Sequence, residues 1–183
     1  MLGRPTEPPV LSLEAAERHS VSLWDFGWLD ATRYVEPRDA ARLPAEERLR
    51  RLVSSREYRN NFAERESWGK DPGPIHGPFR IEAILPASFK DISLPELQRR
   101  VQVRLTSPEF RPIAGAHQRG QVERLLQRVA AGARRCFYLN LDLQDKTKRH
   151  SYSFIHLLFD EYVALEEDAL WLLVIGYDQA AQR

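Results

Sequence analysis

The chain has 183 residues, a formal net charge of +1 and a single cysteine, Cys136. This length is sufficient for one domain with its own hydrophobic core, and a lone cysteine excludes an internal disulfide. The near-neutral charge argues against a chain that binds polyanions over its whole surface. No apolar run reaches the ~20 residues of a membrane-spanning helix. The first residues also lack the apolar stretch of a signal peptide, so we expect a cytoplasmic protein.

Arginine is strongly preferred over lysine. Only four of the 27 basic residues are lysines. Abundant Arg, Ala, Leu and Pro with rare Lys is typical of a GC-rich genome, and we therefore expect a bacterial source. The same bias makes the number of arginines weak support for phosphate binding.

The N-terminal region predicts an arm followed by a helix. Prolines are frequent in residues 1–12, which predicts a flexible N-terminal arm before a single domain over residues 13–183. Ser12–His19 predicts a short helix, because Ser12 is a suitable N-cap and acidic residues follow it in the first turn.

Two further segments continue the N-terminal half. Val21–Leu29 carries large aromatic residues, which predicts an apolar segment packed on the core. Pro44 precedes Glu46 and Glu47, which predicts the start of a helix, because proline and acidic residues are favoured in a first turn. We expect this helix to end near Glu64.

The middle of the chain predicts one strand and two helices. Phe79–Leu85 alternates apolar and polar residues, as a half-buried strand does. Ser93 and Glu96 have the spacing of a capping box at the start of a helix. His117–Ala133 has the clearest helical pattern in the chain. Its apolar stripe consists of Val122, Leu125, Leu126, Val129, Ala130 and Ala133.

The C-terminal region predicts three strands. Cys136–Leu143 alternates with a period of two, and Leu170–Tyr177 is short and almost entirely apolar, as a central strand is. Ser151–Leu165 is ambiguous, because its apolar residues have helical spacing while its aromatic and branched residues favour a strand. We prefer a strand, since both neighbours are strands and consecutive strands usually pair. Glu166–Asp168 would then form a hairpin turn.

These elements together predict the fold class. Helices and strands are segregated along the chain rather than alternating. This order predicts an α+β fold with a mainly antiparallel sheet, formed by a C-terminal strand meander, and helices packed on one face of it.

The charges are also segregated. Residues 151–183 contain six acidic residues and one arginine. We interpret them as an acidic edge that binds a basic protein partner, with nearby aromatic residues as anchors. The proposed edge consists of Asp160, Glu161, Tyr162, Glu166, Glu167, Asp168 and Trp171. The resulting hypothesis is a non-catalytic bacterial protein-binding module, for example an immunity or antitoxin type of inhibitor. A simpler interpretation is that the charged faces are solvated and partly cancel across the fold.

An alternative function uses the basic region. Residues 97–135 contain nine arginines and two acidic residues, which would suit a small enzyme or binder acting on a phosphodiester or nucleotide. No nucleic-acid-binding motif accompanies the arginines, so we do not expect a nucleic-acid partner.

A second candidate site is the loop that contains Glu66, Trp68, Lys70 and His76, because loops often carry binding residues. The histidines lack metal-ligand spacing, and no phosphate-binding or nucleophile motif is present. We therefore expect no metal, no cofactor and no catalytic residue, and we expect Cys136 to be a core residue.

Overall fold

A computed structural model describes residues 13–23, 26–60, 62, 73–107 and 114–178 of the protein. These residues form a six-stranded antiparallel sheet, a separate two-stranded hairpin and three α-helices. The predicted α+β class is confirmed. The predicted N-terminal arm lies outside the described residues.

The strands are β1 (Glu14–Ser22), β2 (Gly27–Val35), β3 (Ile75–His76), β4 (Phe79–Arg80), β5 (Phe89–Ile92), β6 (Arg135–Leu139), β7 (His156–Leu165) and β8 (Ala169–Asp178). The helices are α1 (Ala45–Ser54), α2 (Leu94–Thr106) and α3 (Ala116–Gly132). The large sheet has the order β1-β2-β8-β7-β6-β5, and β3 pairs with β4. The predicted C-terminal meander is confirmed, because β6, β7 and β8 are neighbours in this sheet.

The centre of the sheet is formed by β7 and β8. Nearly every residue of both strands is buried, because both faces of the sheet are covered. The central strand predicted at Leu170–Tyr177 is confirmed, and the ambiguous segment is a strand from His156 onward. This segment is a strand despite the helical spacing of its apolar residues, because β6 and β8 provide hydrogen-bonding partners for its backbone on both sides.

Two apolar layers cover the sheet. Helices α2 and α3 pack on one face, where their buried residues join those of β7 and β8 in one cluster. Helix α1 packs on the opposite face, in a second cluster with Tyr58, Phe79 and Phe159. The predicted packing of helices on one face of the sheet therefore applies to α2 and α3, while α1 covers the opposite face. Helix α3 contacts β1 and α2 contacts β6, which places α3 above one margin of the sheet.

The helix predicted at Ser12–His19 is wrong, because Glu14–Ser22 is the strand β1. Its backbone pairs with β2 in an antiparallel ladder, for example His19 with Ala31. The cap and acidic residues favour a helix locally, but the ladder with β2 holds the segment extended and pairs the backbone groups of alternate residues. In the segment predicted to pack on the core, Val21–Leu29, residues 24 and 25 lie outside the described residues. Val21 of β1 and Leu29 of β2 are buried, whereas Phe26 is exposed.

Several predicted elements end earlier than expected. Helix α1 ends at Ser54 because Ser55 is extended. The strand predicted at Phe79–Leu85 ends at Arg80, where a 3₁₀ turn begins. Strand β6 ends at Leu139, so only the first half of Cys136–Leu143 pairs.

The predicted starts of α2 and α3 agree with the structure. The Ser93 hydroxyl accepts a hydrogen bond from the backbone N–H of Glu96 at 3.2 Å. The Glu96 carboxylate accepts from Arg99 and Arg100. Hydrogen bonds from these arginines, with Arg99 contributing most, lower the pKa of Glu96 to about 2. In α3, the predicted stripe is buried at Val122, Leu125, Leu126 and Val129.

The buried stripe of α3 predicts a core-truncation effect. We expect Leu126→Ala to lower the free energy of unfolding by roughly 2–5 kcal/mol, because it leaves a cavity beneath the helix. The exposed neighbour Gln127→Ala is the matched control and should change it by less than about 0.5 kcal/mol. Urea denaturation of both variants measures the difference, and similar values for the two would contradict this packing.

Candidate functional site

Most of the predicted acidic edge is inside the protein. Asp160, Glu161, Tyr162, Glu166 and Trp171 are each less than a tenth exposed, whereas Glu167 and Asp168 are exposed. The strands that carry these residues are central in the sheet, and both of their faces are covered. The expectation that the seven residues share one exposed edge is therefore wrong.

Asp160 faces the α2 and α3 side of the sheet. The Nε of Arg104 donates to its carboxylate at 2.5 Å, which joins α2 to β7. Burial raises the pKa of the adjacent Tyr162 above its ordinary value, and the Asp160 carboxylate contributes to this rise. The tyrosine hydroxyl therefore stays protonated.

Glu161 faces the opposite side and is fully buried with its partners. The Tyr58 hydroxyl donates to Oε1 of Glu161 at 2.7 Å, and Nε2 of His76 lies 2.6 Å from Oε2. The rings of Tyr58 and His76 stack with their centroids 3.7 Å apart. Burial and the neighbouring carboxylate raise the pKa of Tyr58 well above its ordinary value, so its hydroxyl remains a donor.

The hydrogen-bond pattern fixes the protons of this network. Nδ1 of His76 donates to the Tyr58 carbonyl oxygen, which can only accept. The short contact at Nε2 therefore holds one proton between His76 and Glu161. Each polar atom of the two side chains has a partner, as buried polar groups require.

Glu166, at the end of β7, is held by two side chains from the sheet. Arg33 of β2 donates from Nε at 2.9 Å, and Trp171 donates from Nε1 at 2.8 Å. Arg48 of α1, buried against Glu36, donates to the backbone carbonyl of Glu166 at 2.9 Å. Hydrogen bonds from Arg33 and Arg48 to Glu166 therefore connect the β7–β8 hairpin to β2 and α1.

Asp178, at the end of β8, makes a similar pair. Its carboxylate accepts from Trp28 Nε1 at 3.0 Å and lies 2.8 Å from Nδ1 of His156. Nε2 of His156 has no hydrogen-bond partner among the described residues. A histidine oriented by an aspartate resembles a general base, but the His156 side chain is completely buried and a substrate has no access to it. We assign no catalytic role to this pair.

Most of the described arginines of the basic region, residues 97–135, are paired with carboxylates within the fold. The pairs are Arg99 and Arg100 with Glu96, Arg104 with Asp160, Arg128 with Glu17, Arg134 with Glu167, and Arg135 with Asp91. Two of these pairs, Arg104 with Asp160 and Arg134 with Glu167, join the basic and acidic regions of the sequence, so their charges partly cancel across the fold, as the simpler interpretation expects. Arg124 is an exception, since it is exposed and has no hydrogen-bond or ion-pair partner among the described residues.

The second candidate loop lies mostly beyond the described residues. Glu66, Trp68 and Lys70 are outside them, and His76 is buried in β3. Within the described ranges, no three His, Cys, Asp or Glu side chains come together in a way that could hold a metal ion. Cys136 lies in the core as predicted, and burial raises the pKa of its thiol to about 11.

Strand β1 has nine residues and lies at one edge of the sheet that the described residues form. The backbone N–H of Leu23 donates to the carbonyl oxygen of Gly27, so the backbone groups of Leu23 point toward β2. Inward and outward backbone groups alternate in an antiparallel strand. Arg18, Ser20 and Ser22 therefore direct their N–H and C=O groups away from the sheet.

Two grooves border this edge, one on each face. The groove beside α3 has a volume of about 830 Å³ and is lined by Arg18, His19, Ser20, Val21, Gln121, Arg124, Leu125, Gln127, Arg128 and Ala131. The groove on the opposite face has a volume of about 340 Å³, and its polar lining includes Asp30 and Glu57. An irregularity between Ala15 and Glu17 interrupts the strand, so the regular part of the edge runs from Glu17 to Ser22.

Sequence reasoning missed this edge. The alternation of Glu17, His19 and Val21 with Arg18 and Ser20 is present, but it contains only one strongly apolar residue. With so few apolar residues, this period-two pattern is a weaker signal for a strand than the N-cap residue is for a helix.

Comparison of the chain with protein-family models, with curated proteins and with solved structures finds no match. No helix in the described part of the chain is long and apolar enough to cross a membrane.

The Glu161 network predicts different results for two substitutions. Glu161→Gln should change the free energy of unfolding by only about 1 kcal/mol, because the amide can donate to His76 and accept from Tyr58. Glu161→Leu should lower it by about 3 kcal/mol or more, because both partners lose their buried hydrogen bond. Denaturant unfolding of the two variants tests this. An equal loss in both would show that the carboxylate charge, rather than hydrogen bonding, stabilises the network.

Proposed function

We propose that the protein acts by binding another protein without catalysis, and that an extended segment of the partner joins the sheet at β1. The observation that carries this proposal is the open edge, with three residues directing backbone groups outward between two grooves. In this mode of recognition, main-chain hydrogen bonds supply affinity, and pockets for alternate side chains supply specificity.

The two edges of the sheet differ in a way that supports β1 as the binding edge. The other edge strand, β5, has only four residues, and its exposed positions are Lys90 and Asp91. Short, charged edge strands are a common protection against unwanted pairing. Strand β1 is more than twice as long, and its regular part is about as long as an average strand.

This proposal keeps the class of function that the sequence indicates and changes the contact surface. An immunity or antitoxin type of inhibitor from a bacterium would fit a binder of this kind. The contact moves from the acidic edge to β1 because a buried, paired carboxylate such as Glu161 is not available to a partner. The alternative of a nucleotide or phosphodiester ligand on α2 is weaker, since its arginines at 99, 100 and 104 are paired with carboxylates.

The edge can be blocked without disturbing the pairing of β1 with β2. Ser20→Pro removes an outward N–H, and proline is tolerated on an edge strand. We expect it to weaken partner binding by about tenfold or more, because a main-chain hydrogen bond is lost and the proline ring obstructs the added strand. Ser20→Thr keeps the N–H and should bind like the wild type.

The measurement has two stages. A partner is first captured with the wild-type chain from its source organism, purified and titrated against the three proteins by calorimetry. Hydrogen exchange of the complex should then show new protection at the amides of Arg18, Ser20 and Ser22. Unchanged affinity of a folded Ser20→Pro variant, or protection confined to another surface, would remove β1 from the binding site.

A further inference from the structure

The two faces of β1 present different side chains to an added strand. Glu17, His19 and Val21 face α3, as shown by the contact of Glu17 with Arg128 and the ring contact of His19 with Trp171 at 5.9 Å. Ser20 lies on the opposite face, where it borders the smaller groove. An added strand would also alternate, so every second side chain would project toward α3.

The groove on the α3 face is basic. Arg18, Arg124 and Arg128 line it, and the Glu17 carboxylate on this face pairs with Arg128, which leaves Arg124 without an acidic partner among the described residues. Gln121 and Gln127 add amide donors on the same helix. The smaller groove is different, because Asp30 and Glu57 oppose Arg18 there.

The arginines of α3 reach the edge of the sheet. The guanidinium of Arg128 donates to the carboxylate of Glu17, so a carboxylate on this face of β1 is already within hydrogen-bond reach of the helix. Desolvation opposes the charge of Glu17, but hydrogen bonds from His19 and Arg128 lower its pKa overall, so it remains ionised. One turn away, Arg124 is exposed and has no such partner among the described residues.

We infer that the segment added at β1 is acidic, with carboxylates at alternate positions that face α3, pair with Arg124 and share Arg128 with Glu17. This inference rests on the proposed function, and it gives the chemistry of the partner. Carboxylate and guanidinium form two parallel hydrogen bonds, so this pairing adds specificity as well as attraction. Opposite charge would also speed the encounter of the two chains at low salt.

Two other occupants of the edge fit less well. A second copy that pairs antiparallel through β1 must be related by an axis perpendicular to the sheet, which keeps the α3 faces on one side. The two basic grooves would then meet, and their arginines at positions 124 and 128 would repel each other. Residues 1–12 of the same chain contain Pro5, Pro8 and Pro9, which have no N–H to donate to an outward carbonyl.

The test uses three synthetic peptides of about eight residues, the length of a typical strand with its ends. Each alternates threonine with glutamate, glutamine or lysine. Nuclear magnetic resonance titration of the isotope-labelled full chain gives the dissociation constants and the amides that respond. The glutamate peptide should shift the amide signals of Arg18, Ser20 and Ser22. It should bind at least about tenfold more tightly than the glutamine peptide at low salt, and this advantage should shrink at high salt.

Charge-reversal variants show which arginines are responsible. The double variant Arg124→Glu with Arg128→Glu should lose the preference for the glutamate peptide and favour the lysine peptide. The control, Arg38→Glu with Arg42→Glu, makes the same change in net charge at exposed positions that line another groove. This control should keep the wild-type order of affinities.

Each contrary outcome is distinguishable. Equal affinity for the glutamate and glutamine peptides, with shifts at β1, overturns the acidic partner but leaves the open edge as a binding site. Absence of shifts at β1 with all three peptides also overturns the acidic partner, and the Ser20→Pro experiment on the captured partner then decides the proposed function separately. A single-stranded oligonucleotide that shifts α3 but not β1, and binds more tightly than the glutamate peptide, would reassign the groove to nucleic acid.

Discussion

The architecture depends on how the two central strands accommodate their acidic residues. Asp160, Glu161 and Glu166 are buried in or beside β7, where an unpaired carboxylate would be very unfavourable. Each one is satisfied by groups from other parts of the chain. These partners are Arg104 of α2, Tyr58 and His76 on the opposite face, and Arg33 of β2 with Trp171 of β8. The same contacts therefore neutralise the strand and hold its covering elements in place.

This arrangement means that the buried carboxylates of the acidic C-terminal region all have hydrogen-bonding partners. Two pairs join the basic and acidic regions of the sequence. Arg104 of α2 pairs with Asp160 of β7, and Arg134, after α3, pairs with Glu167 in the turn after β7. Breaking a buried pair costs far more than forming an exposed one contributes. The buried carboxylates are therefore part of the fold rather than a surface for a partner.

With the centre of the sheet covered on both faces, the binding site that we propose lies at its margin. Among the described strands, β1 pairs only with β2, and α3 lies above it. The proposed binding site combines the two features, because the strand offers backbone groups and the helix offers Arg124 and Arg128. Neither feature alone selects a ligand, but a segment that pairs with the strand must place alternate side chains beside the helix.

The sequence by itself determined the fold class, the α3 helix, the cap of α2 at Ser93 and the central strand β8. These elements have strong local patterns of period 3.6 or 2, or a specific capping residue, and such signals depend only on near neighbours. The tertiary structure alone decided that Glu14–Ser22 is a strand and that Glu161 is buried. A residue such as Glu161 is compatible with the interior only when remote residues supply its hydrogen bonds, and an edge strand is defined by which strand pairs with it. Both depend on contacts between residues far apart in the chain, which no local pattern encodes.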